Sequence, residues 1–77
     1  MNTNTAIANI ETFSADHSGL LANRNGHNRF YPAEATPVTS MWGRGQLVSV
    51  TEDGWAEVQL EGETRRDEYP AEHVFLA

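Results

Sequence analysis

The most regular pattern in the chain runs from Trp55 to Leu60, where Ala56, Val58 and Leu60 alternate with Trp55, Glu57 and Gln59. A period of two puts each set on its own face of a strand, so one buried face is predicted. The β-branched run over residues 46–51 (Gln46-Leu47-Val48-Ser49-Val50-Thr51) predicts a preceding strand, with Gly43-Arg44-Gly45 as a flexible lead-in. Asp53-Gly54 between the two strands is a hairpin turn signal. Glu61-Gly62 turns the chain again, and residues 63–69 are expected to return as a strand that ends at Pro70, which has no N–H to donate to a ladder. Pro70-Ala71-Glu72-His73 fits one turn of 3₁₀ helix, and Val74-Phe75-Leu76 a last short strand.

The first half is less regular. Ile7, Ile10 and Phe13 are spaced by three, which fits a helical turn, yet a strand is equally compatible with so short a segment. Residues 20–31 read as a hairpin about Asn25-Gly26, the preferred pair of a type I′ turn because both residues tolerate positive φ. Pro32 and Pro37 bracket an irregular connection. Tyr31-Pro32-Ala33-Glu34 recurs as Tyr69-Pro70-Ala71-Glu72, and both copies are expected at strand ends with the tyrosine beside the turn. Short strands joined by tight glycine turns predict an all-β fold, a small barrel of about five to six strands with a 3₁₀ turn before the last. Residues 1–6 are expected to be disordered, and 7–77 to form one small β domain, best supported over 42–77.

Composition narrows the class of function. The 77 residues contain no cysteine, so disulfides and thiolate-bound metals are excluded, and self-association is the staple left to a small core. Net charge is −6 without any lysine, and eight of the eleven acids (Glu52, Asp53, Glu57, Glu61, Glu63, Asp67, Glu68 and Glu72) follow residue 51. Such a surface repels phosphates, so direct nucleic-acid binding is not expected. It suits a basic protein partner. No apolar run is long enough to cross a membrane as a helix and no signal-like start is seen, so a cytoplasmic protein is expected.

The order of the pieces resembles the SH3-like barrel group. The resemblance rests on Gly45-Gln46-Leu47-Val48, Asp53-Gly54-Trp55, Val58 and Tyr69-Pro70-Ala71-Glu72-His73-Val74, about half the chain. Within that group, Trp42 followed by Gly45-Gln46-Leu47-Val48 and then Tyr69-Pro70 is similar to plasmid-encoded type II dihydrofolate reductase, which implies a tetramer around one pore and an NADPH-dependent reduction. The sequence departs where that family's pore strand reads Val-Gln-Ile-Tyr. Here it is Arg66-Asp67-Glu68-Tyr69, and only Tyr69 carries over. Asp67 and Glu68 would repel the cofactor's phosphates and the folate glutamate alike.

No catalytic or metal-ligating residues are expected, and no cofactor. His17, His27 and His73 fall in three separate loops or turns, and no serine lies in a Gly-x-Ser-x-Gly elbow. The candidate contact residues are Trp42, Trp55, Glu57, Arg65, Asp67, Glu68 and Tyr69, an aromatic and acidic patch. The function expected is a non-enzymatic protein-interaction module, of the kind a phage or plasmid accessory protein uses to occlude a host complex. The alternatives are the reductase and a structural homo-oligomeric subunit.

Overall fold

The computed structural model describes Ile7 and residues 10–77, apart from the side chains of Glu11, Thr12, Asp16 and Arg24. The disorder expected over residues 1–6 falls outside that range. A short helix α1 (Ile10–Asp16) precedes β1 (Gly19–Arg24), β2 (His27–Pro32), β3 (Pro37–Ser40), β4 (Gly43–Thr51), β5 (Trp55–Leu60), β6 (Asp67–Pro70), a 3₁₀ turn (Ala71–His73) and β7 (Val74–Leu76). Every strand pairing is antiparallel.

Strands β3 to β6 form a meander, and the 3₁₀ turn then carries β7 back to pair with β3, Val38 opposite Leu76. This is the SH3-like small barrel that the sequence predicts. The hairpin β1–β2 is added to it, Phe30 pairing with Val50 at the far end of β4. At the Asn25-Gly26 turn both residues have positive φ, 56° and 80°, as a type I′ turn requires. Ile7, Ile10 and Phe13 are all buried, and the ring of Phe13 meets that of Phe30 edge-on at 5.8 Å. The spacing of three thus marks one apolar stripe, with Ile10 and Phe13 on the helix and Ile7 ahead of it, its N–H donating to the Val74 carbonyl.

Three expectations are corrected. Among the described residues the strands number seven, because Pro37–Ser40 forms β3 in the stretch where no strand was expected. Residues 43–45 are strand and not a flexible lead-in: Gly45 lies between Val38 and Leu60, and a Cβ there would run into the Gln59 carbonyl oxygen. Residues 63–66 are irregular, bending at Thr64-Arg65, so the third barrel strand begins only at Asp67.

One irregularity sets which residues of β4 face the core. Leu47 pairs with Val58, but Ser49 pairs with Glu57, leaving Val48 as a one-residue bulge. An extra residue reverses the alternation downstream of it. Leu47 and Val50, three apart, are therefore both buried against Val58 and Ala56, while Ser49 turns to the opposite face beside Glu57.

The repeated tetrapeptide is one local structure used twice. Pro32 pairs with Gly19, and Pro70 with Trp55. In each copy the following alanine donates its N–H, at 2.8 Å, to the carbonyl just before the partner strand, Ala33 to Ser18 and Ala71 to Gly54. The tyrosines differ in setting: Tyr69 packs on the core and Tyr31 is exposed.

Candidate functional site

On the face of the sheet away from the core, β2, β4, β5 and β6 each contribute a polar side chain to one connected group. Phe30 points into the core, so its neighbours Arg29 and Tyr31 point out. The Arg29 guanidinium donates to Ser49 Oγ at 2.8 Å, and the Ser49 hydroxyl donates to Glu57 Oε1, also at 2.8 Å. The same guanidinium lies 3.5 Å from Glu57 Oε1 and 3.1 Å from Glu68 Oε2. Ser49 is fully buried, and this pairing satisfies it. Arg29 thereby ties the N-terminal hairpin to three strands of the barrel.

Around this group opens a groove of about 820 Å³. Leu20 and Tyr31, cross-strand partners on the hairpin, form one wall, and Trp55 stands on the other. All three side chains are exposed, Leu20 at 65% and Trp55 at 42%. Among the described residues, Asp53, Glu57 and Glu68 line it together with one guanidinium, that of Arg29. Asp53 is held below the ordinary carboxyl value, chiefly because the Thr51 hydroxyl donates to it, with His27 and Arg29 adding smaller effects. That hydroxyl oxygen also accepts the Trp55 N–H at 2.9 Å, so the turn that places Asp53 fixes the start of β5 as well.

The seven residues singled out in the sequence do not form one patch. Trp55, Glu57 and Glu68 share the groove face. Tyr69 pairs with Ala56 and Asp67 with Val58, so these two lie toward the opposite face. Trp42, in the β3–β4 turn, lies against Tyr69 with ring centroids 4.9 Å apart and is still 43% exposed. Burial pushes the Tyr69 phenol above its ordinary value, with the carboxylates of Asp67 and Glu63 acting in the same direction. Arg65 lies 3.6 Å from Asp67 on an exposed rim.

Leu20, Arg29, Tyr31 and Asp53 are among the groove residues that sequence reasoning missed, as is the buried Ser49 that holds Arg29. The alternation about Phe30 was the available signal for Arg29 and Tyr31. The bulge at Val48 hides Ser49 from any such count.

The histidines are separate. His17 stacks on Phe13 at 4.0 Å and donates to its carbonyl, His27 borders the groove, and the His73 ring stands nearly perpendicular to that of Trp42, 6.4 Å away. Among the described residues no helix is long and apolar enough to cross a membrane.

Fold and site together define an all-β, SH3-like barrel carrying a hairpin that walls a groove of aromatic and acidic residues. No family model matches the chain, and no curated protein or solved structure does so either.

Proposed function

We propose that the chain is a binding module, without catalysis of its own, that holds a segment of a basic protein partner in the groove between the hairpin and β5–β6. The observation that supports this reading is the exposure of Leu20, Tyr31 and Trp55 around the carboxylates of Asp53, Glu57 and Glu68. Aromatic side chains left in water beside a cleft are the usual anchors of an interface. Carboxylates beneath them favour a lysine or arginine of the partner. The acidic C-terminal half suits the same role on a larger scale: a small accessory protein that occupies a basic channel of another complex, as proteins of phages or plasmids do.

The test is a titration of the Trp42→Phe variant, in which Trp55 is the only tryptophan, with short arginine- and lysine-rich peptides that carry one aromatic or aliphatic anchor. Trp55 fluorescence is expected to change saturably, and the affinity to fall as salt rises. In parallel, Trp55→Ala is expected to weaken binding of the same peptides, measured by calorimetry, by about tenfold or more, the size of one anchor residue. Binding that neither salt nor Trp55→Ala alters would overturn the proposal.

A further inference from the structure

A sheet edge offers unpaired N–H and C=O groups to any other strand, and folded proteins blunt such edges with charge, proline, bulges or a covering segment. Three edges exist among the described residues. That of β6 reads Asp67-Glu68-Tyr69-Pro70, two acids and a proline. That of β7 is met by Ile7, whose N–H donates to Val74. The edge of β1 has neither device. It pairs with β2 one for one over all six residues, without bulge or proline, and its single charged residue, Arg24, is the terminal one. Two neighbouring leucines on it, Leu20 and Leu21, are among the most exposed apolar residues described.

We infer that β1 is a homodimer edge, two copies pairing antiparallel through Gly19–Arg24 about a two-fold axis at Leu21. An axis normal to the sheet keeps each side chain on its own face, which allows only residues of like parity to oppose one another. Centred on Leu21, the register sets Leu21 against Leu21 and Leu20 against Ala22. Centred on Ala22, it would set Leu20 against Arg24 instead.

The self-matching register favours a second copy as the occupant of this edge, and charge does not oppose it. Residues 17–33 contain Arg24 and Arg29 and no acid, whereas eight of the eleven acids follow residue 51. Strands β1 and β6 lie at opposite ends of the path β1-β2-β4-β5-β6, roughly 19 Å apart at ~4.8 Å per strand. The acidic edges of a β1-paired dimer are thus well beyond the ~8 Å screening length. The two Arg24 residues stand six positions apart along the strands, about 20 Å, and do not oppose each other. Six residues of edge bury less than the roughly 1,600 Å² of a standard interface. The dimer is accordingly expected to dissociate on dilution through the micromolar range.

Sedimentation over a dilution series tests this directly. Mass should fall from twice 8.5 kDa to 8.5 kDa. Leu21→Lys, which brings two ammonium groups together at the axis from an exposed position, should give the monomer mass throughout, and Met41→Lys in the β3–β4 turn should behave as the parent. Since the chain has no cysteine, Leu21→Cys supplies a second readout: mild oxidation should convert it to a reducible covalent dimer, with Met41→Cys lagging far behind. A single mass of 8.5 kDa up to millimolar concentration would overturn the proposal and leave the edge to a strand of some other protein. So would a dimer indifferent to Leu21→Lys. Leu21 does not line the groove, so these outcomes are independent of the peptide titrations.

Discussion

Arg29 and Glu68 sit on strands separated in the sheet by two others, and their side chains still meet, Nη2 lying 3.1 Å from Oε2. Three strand spacings amount to about 14 Å on a flat sheet, so both side chains must reach across Ser49 and Glu57 to do so. The contact acts as a strap across the face. Arg29→Met keeps most of the aliphatic stem and removes the strap, leaving Ser49 and Glu57 without their shared donor. Denaturant unfolding should show a loss of about 1–3 kcal/mol. Amide exchange should quicken in β1 and β2 more than in β5; equal acceleration everywhere would show that the strap holds no particular element.

A Cβ at Gly45 has no room, because the atoms it would meet belong to the main chain of Gln59 and Leu60. Neither can turn aside as a side chain can. Gly45→Ala is expected to cost about 1–3 kcal/mol, the range for an overpacked interior, or to prevent folding. Gly62→Ala is the control. No atom waits for its Cβ, and the strain of its positive φ alone should cost about 1 kcal/mol. Melting temperatures of the two variants rank them; an equal fall in both would refute the close-approach argument.

The Thr51–Asp53 hydrogen bond predicts a pH dependence. The folded-state pKa of Asp53 is depressed, chiefly by that bond, so the stability linked to it is present above the ordinary carboxyl value and lost as pH falls through the folded one. Thr51→Val removes the donor. The Asp53 carboxyl, followed by NMR, should then titrate at higher pH, closer to an ordinary aspartate. An unmoved titration would mean that some other group holds the proton off.

How far these features were legible in the sequence depends on how far apart the partners lie along the chain. Alternation over Trp55 to Leu60 located the buried face of β5, and Asn25-Gly26 located the hairpin, because both signals are local. Pro37–Ser40 carried no such signal. Val38 and Thr39 favour strands, but two residues between Pro37 and Ser40 are too few to show a period, and the segment is extended because β4 and β7 pair with it on either side. Glycine at position 45 read as flexibility, since composition cannot reveal that another backbone presses against it. The groove was the least visible part: Arg29 meets Ser49, Glu57 and Glu68 from 20, 28 and 39 residues away. The acids were noticed as a charge and their cation was not, because only the added hairpin brings it to them.

The pairing of Val38 with Leu76 bears on how the chain reaches this state. Strand β4 can find β3 and β5 through neighbouring turns, and those steps close small loops at little entropic cost. The β3–β7 ladder joins the two ends of the barrel and closes the longest loop among the barrel's strand pairings. Such distant pairings are the slow ones. Until that ladder forms β3 is a second bare edge, so the interval before closure is when a nascent or refolding chain is most open to strand exchange with its neighbours.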